Sequence, residues 1–158
     1  MMEQVFKFIK QTRQAFIQLL EGLTLEQLNE IPAGFNNNII WNFGHIVVAT
    51  QGLTYLRTGI RHDASFIKYA GTYTKGSKPT YFVTQEEVDD LKRLAVETIE
   101  QLEKDYAAGV FNKIAPFATD TYGETMATIE EVITLTSGHD NLHYGYAIAQ
   151  RRIINNNK

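Results

Sequence analysis

The stretch "SGHDNLHYGY", positions 137–146, sets His139 and His143 four residues apart. On a helix that spacing puts both imidazoles on one face, one turn apart, where they can address a single point. Imidazole nitrogens ligate zinc, nickel and iron, and they accept or donate protons near neutral pH. The chain has no cysteine, so disulfides, a catalytic thiol and thiolate metal sites are excluded. Histidine, carboxylate and water remain as ligands.

A third histidine, His45, lies in "IIWNFGHIVVAT". Rotating that segment as a helix with His45 inward brings Trp41, Val48, Ala49, Gly52, Leu53 and Leu56 onto the same face, with Asn38 and Asn42 close by. The same exercise on the later segment groups His139 and His143 with Val132, Leu135, Thr136, Leu142 and Tyr146. Three of the four histidines thus take core-facing positions, and His62 alone falls in a connection. Two readings compete. Each histidine can be a core residue whose nitrogens find hydroxyl or carbonyl partners. Alternatively, one divalent cation satisfies a nitrogen of all three at once.

Around this cluster, Asp140 is placed either to hold an imidazole or as a surface carboxylate. Asn38 and Asn42 are placed either to orient a metal-bound water or to cap their helix, a role that suits Asn38 especially well. Trp41, Asn42 and Tyr146 are candidates for the pocket wall. Tyr122 and Tyr146 either supply a hydroxyl near substrate or pack, and Arg57, Arg61, Lys75 and Lys78 either greet an anion at its mouth or serve surface solubility. No phosphate-cradling loop, serine triad or close carboxylate pair is visible.

The elements that must carry these residues are four amphipathic helices. Val5, Phe8, Ile9, Thr12, Phe16, Leu19 and Leu20 recur at three-and-four spacing up to Gly22, with Arg13 among the polar positions between them. Thr24 with Gln27 predicts a capping box on a short turn stopped by Pro32. A second long helix is predicted from about Asn38 to Thr58, before Gly59. The third opens at Thr84, with Glu87 completing a capping box, and ends before Gly109. The fourth opens at Thr128, with Glu131, and runs to about Ile154. About 25 residues join helices two and three, against the ~2–8 usual in compact bundles, so this segment is long enough to cross the whole bundle. The expected fold is therefore all-α, a single four-helix-bundle domain over residues 1–158.

Across the 158 residues, hydrophobic side chains make up 44% and charged ones 21%, an ordinary globular composition. The formal net charge of -3 supplies no basic field for nucleic acid or anionic lipid. Neither a signal peptide nor a membrane-spanning run is apparent, and a cytoplasmic location is expected.

Taken together, "WNFGHIVVAT", a crossover bearing Gly76, Lys78 and Pro79, and "HDNLHYGYAIAQRR" resemble the DinB-like (damage-inducible) family. Its superfamily includes bacillithiol transferases and the mycothiol-dependent maleylpyruvate isomerase. The resemblance covers nearly the whole chain. It implies an up-down-down-up bundle with a long crossover between helices two and three. It also implies a divalent metal, nickel or zinc, on three histidines, which match His45, His139 and His143; softness and geometry admit iron as well. The implied activity is transfer of a low-molecular-weight thiol to a small electrophile, or hydrolysis of a small molecule, with the thiol supplied from outside.

Three classes stay open on these grounds: a metal-dependent enzyme, a non-catalytic metal-binding or stress-response module, and a bundle with buried structural histidines. A homodimer is expected, because Ile40, Phe43 and Val47 lie opposite His45 on helix two, and Tyr144 and Ile148 lie on the outer side of helix four.

Overall fold

A computed structural model of the chain describes residues 1–121 and 123–156. Four long helices dominate: α1 (Met2–Glu21), α3 (Ile39–Gln51), α5 (Gln85–Ala107) and α6 (Ile129–Asn156). Two short helices, α2 (Leu25–Asn29) and α4 (Ala70–Tyr73), lie in the connections, as does a two-stranded antiparallel ribbon, β1 (Phe117–Ala118) with β2 (Thr125–Met126). The fold is all-α, and α1 and α3 each pack against both α5 and α6.

The predicted starts of these helices rest on real caps. Thr24 and Gln27 form a reciprocal box, each side chain holding the other's backbone N–H. Thr128 and Glu131 do the same at the head of α6. At α5 the box is only half made: the Thr84 hydroxyl accepts the Glu87 N–H, but the Glu87 carboxylate accepts instead from the Tyr73 and Tyr81 hydroxyls. That exchange ties the crossover to α5 and costs the helix one cap bond.

Helix two differs from its expected form. The α-helix ends at Gln51 and continues as a single π turn, Gly52–Leu56, closed by the Arg57 N–H donating to the Gly52 carbonyl at 2.9 Å. A π turn inside a helix is rare and concentrates at functional sites.

Two expected faces are also rotated. On α1 the expected Ile9, Phe16, Leu19 and Leu20 are buried, but Phe8 is exposed and Phe6, Arg13 and Ile17 complete the buried stripe. On α6 the buried stripe is Val132, Ile133, Thr136, Asp140, Ala147, Gln150 and Ile154, while Leu142 and Tyr146 are exposed. One ion pair joins the two corrected faces. Arg13, 1% exposed, donates its Nε–H to Asp140 Oδ2 at 2.8 Å. Its remaining four N–H groups go to the Ala95 and Ile46 carbonyls and the Thr98 and Thr50 hydroxyls. All five guanidinium donors are used, and they join α1 to each of the other three long helices. Two residues that look like solvent-facing charges are therefore at the centre of the bundle.

Of the two faces offered for self-association, the one on helix two is occupied within the chain. Ile40, Phe43 and Val47 are fully buried, and Tyr144 and Ile148 are half-buried against the same core. Helix two is apolar nearly all round because it is packed among the other helices, so Ile40, Phe43 and Val47 form no exposed patch, whereas Tyr144 and Ile148 keep part of their surface open. Among the described residues, no helix is long and apolar enough to cross a membrane.

Candidate metal centre

His45 projects from α3, and His139 and His143 from α6, which packs against it. One nitrogen from each ring lies within 4.8 Å of the others, close enough for one ion to reach all three. The ring centroids are 4.5 to 5.1 Å apart. The three positions assigned from the sequence do converge.

The environment fixes how two of the rings are used. His45 Nδ1 lies 2.7 Å from the Tyr73 carbonyl oxygen. A carbonyl only accepts, so His45 carries its proton on Nδ1 and leaves the Nε2 lone pair free. His143 Nδ1 lies 2.8 Å from Asn42 Oδ1. The Asn42 amide cannot be reversed, because its Nδ2 donates to Asn37 Oδ1, the Asn38 carbonyl and Gln150 Oε1. Gln150 is held in turn by donating to Asn37. His143 therefore also donates from Nδ1 and presents Nε2. Outer hydrogen bonds of this kind orient metal-ligating histidines. His139 has no such partner: its Nδ1 is buried and unpaired.

Electrostatics favours neutral rings. Burial lowers the pKa of His45, against a smaller rise from the Tyr73 bond. Burial, then His45 and Arg13, brings His139 down to about 4. Burial, then His45 and His139, brings His143 down to about 3. Three unprotonated imidazoles facing one point, one of them with an orphaned buried nitrogen, form a donor set that fits a divalent ion.

Of the expected neighbours, Trp41 stacks on His45 with ring centroids 4.8 Å apart and planes within 7° of parallel, and its indole N–H donates to Ser77 Oγ. Asn42 orients His143. Tyr146 is about half exposed, with its ring 6.1 Å from that of His143. Asp140 holds no imidazole and is not on the surface; it is the wholly buried partner of Arg13. Asn38 caps α3 through Trp41 N–H. His62, Arg61 and Lys78 are exposed and line neither cavity beside the histidines. Tyr122 lies outside the described residues.

Sequence reasoning missed three contributors. Gln150 lies two helical turns past His143, a polar residue on a buried stripe, and that spacing is a usable signal. Arg13 gave none, since its partners come from three other helices. Tyr73 acts through its backbone carbonyl, which any residue possesses. What seats it is Gly44: a Cβ there would come within 2.6 Å of the Tyr73 ring.

Two cavities meet at the histidines. One, about 570 Å³, is lined by all three together with Phe35, Asn36, Asn37, Trp41, Asn42 and Tyr146. The other, about 380 Å³, touches His45 and His139 and is largely apolar, with Val48, Leu53, Leu56, Ile67 and Leu135 in its walls. Lys75 and Thr121 border both.

Comparison with known families agrees with this geometry. The sequence profile of the DinB superfamily matches residues 9–147, and the chain belongs to that superfamily. No individually curated protein matches it.

Proposed function

We propose that this member of the DinB superfamily is a metal-dependent enzyme acting on small molecules. In this reading His45, His139 and His143 hold one nickel or zinc ion, with iron chemically admissible, and the reaction is transfer of a low-molecular-weight thiol to an electrophile or hydrolysis. The carrying observation is the pair of fixed tautomers: the Tyr73 carbonyl and the Asn42 amide each occupy an Nδ1–H, committing Nε2 of His45 and His143 to a common point. A divalent ion on three neutral imidazoles supplies Lewis acidity and an open position, the property that lowers the pKa of a bound water to about 7.

The chain's own residues set the rest. Trp41 shields one face of His45, and the Asn37–Asn42–Gln150 amides hold His143 in place. The two cavities offer room on either side of the centre for two reactants. No cysteine is present, so a sulfur nucleophile must come from solution.

Elemental analysis of untagged protein tests the centre. About one divalent ion per chain is expected, lost in His139→Ala and retained in His62→Ala. Equal retention in both variants rejects the assignment. Turnover is tested with glutathione-like, bacillithiol-like and coenzyme-A thiols against a chlorinated aromatic and an epoxide, before and after chelation. Activity that survives complete metal removal refutes the mechanism. Full occupancy with no turnover favours a binding module.

A further inference from the structure

The apolar cavity has a direction. Along helix two it is lined by His45, Val48, Ala49, Gly52, Leu53, Leu56 and Arg57, successive steps of three or four residues on one face. At ~1.5 Å per residue, the backbone distance from His45 to Arg57 is roughly 18 Å. A volume of about 380 Å³ along that length is an elongated slot with the histidines at one end.

The π turn makes this slot possible. In an uninterrupted α-helix, at about 100° per residue, position 57 would lie about 120° around from position 45. The wider turn at Gly52–Leu56 advances less per residue and returns Arg57 toward the His45 side. Gly52 leaves the slot clear at its middle: a Cβ built there meets nothing within 4 Å.

The charged lining of the slot carries a net positive charge, two cations against one carboxylate. Three charged residues line the slot, and two of them, Lys75 and Asp120, pair with each other at 2.6 Å. Arg57, exposed at the slot's edge, makes no carboxylate contact within salt-bridge distance among the described residues, although the Asp120 carboxylate held by Lys75 is near enough to feel its charge. It is steadied by the Ala118 carbonyl at 2.8 Å and by the Phe117 ring beneath its guanidinium. Thr119, which follows Ala118, also lines the slot; its hydroxyl is buried without a hydrogen-bond partner, and a turn of the side chain about χ1 would present it to a bound group. A guanidinium with free N–H groups and an unpartnered hydroxyl are a recognition pair for a carboxylate.

We infer that the slot binds an elongated apolar monocarboxylate, its acid group at Arg57 and Thr119 and its apolar body against Val48, Leu53, Leu56 and Leu135. Its distal end then lies at the histidines. The inference rests on the metal-centre reading only for the claim that this distal end is where reaction occurs.

Octanoate is the probe, titrated calorimetrically into metal-stripped protein so that no ion competes for the carboxylate. Wild type should bind octanoate at least about tenfold more tightly than octanol. Arg57→Gln should erase that preference, and Thr119→Val should weaken octanoate binding with less effect on octanol. Gly52→Leu, a substitution that favours helix, should block both ligands while circular dichroism stays unchanged. Absence of octanoate binding to wild type overturns the inference, as does an unchanged affinity in Arg57→Gln. Zinc uptake on reloading the same preparations is measured separately. Octanoate binding in a protein that takes up no metal would remove the proposed enzyme function and leave the slot standing.

Discussion

Replacing Arg13 with Met should strongly destabilise this protein, although position 13 reads as a polar surface residue. The substitution keeps the length of the side chain and removes its charge. Asp140, wholly buried, would lose its one ion-pair partner among the described residues, and its other oxygen has no hydrogen bond there to fall back on. Breaking a buried pair from one side costs ~3–5 kcal/mol, because the remaining charge is stranded. Two carbonyls and two threonine hydroxyls also lose their donor. Against a total stability of ~5–15 kcal/mol for a domain, that is a large fraction. A fall in Tm of roughly 6–20 °C follows from ~2–4 °C per kcal/mol at this size. Urea unfolding followed by the fluorescence of Trp41, the single tryptophan, measures the loss.

The sign of its pH dependence is a further check. Burial already raises the Asp140 carboxyl, opposed by Arg13. Without Arg13 the folded-state pKa rises further, so the variant's stability is present at low pH and is lost as pH climbs through that value. The deficit relative to wild type should therefore be smaller at about pH 5 than at about pH 8. The double variant Arg13→Met/Asp140→Leu should recover most of the stability, since exchanging both charges for apolar groups is often neutral or better. A loss below about 1 kcal/mol in Arg13→Met alone, the scale of an exposed pair, would refute this account.

Asn42→Leu removes the acceptor that orients His143 and should weaken zinc binding by ~10–100-fold, read by competition with a chromogenic chelator. Gln150→Leu should produce a smaller loss through the same amide chain. Gly44→Ala forces the Tyr73 ring away from α3 and takes the His45 acceptor with it; it should lower both zinc affinity and Tm, and an unchanged affinity would disconnect the crossover from the site. Metal-free protein should lose stability as pH falls from about 6.5 toward the depressed histidine values, because the unfolded chain takes up protons that the folded rings refuse. For the same reason zinc should stay bound at about pH 5.5, where ordinary imidazoles are largely protonated. Release there, followed by dialysis and elemental analysis, would show that the rings are not held neutral.

Helix positions, capping residues and the three histidines could be read from the sequence because each is encoded locally. A helix start needs Thr and Gln or Glu three residues apart, and a shared face needs only spacing of three or four. The all-α class and the candidate ligands followed from such short-range patterns. Which way each helix turns was decided elsewhere. Arg13 and Asp140 look like surface charges until they are known to meet 127 positions apart, and their pairing joins the buried stripes of α1 and α6. Helix two looked like an interface because its own residues cannot show that three other helices surround it. The π turn, the Tyr73 carbonyl, the locked Asn42 amide and the slot from His45 to Arg57 all depend on contacts between distant segments. Composition names the groups that can ligate. Only packing determines which nitrogen of each histidine is free and what lies beside it.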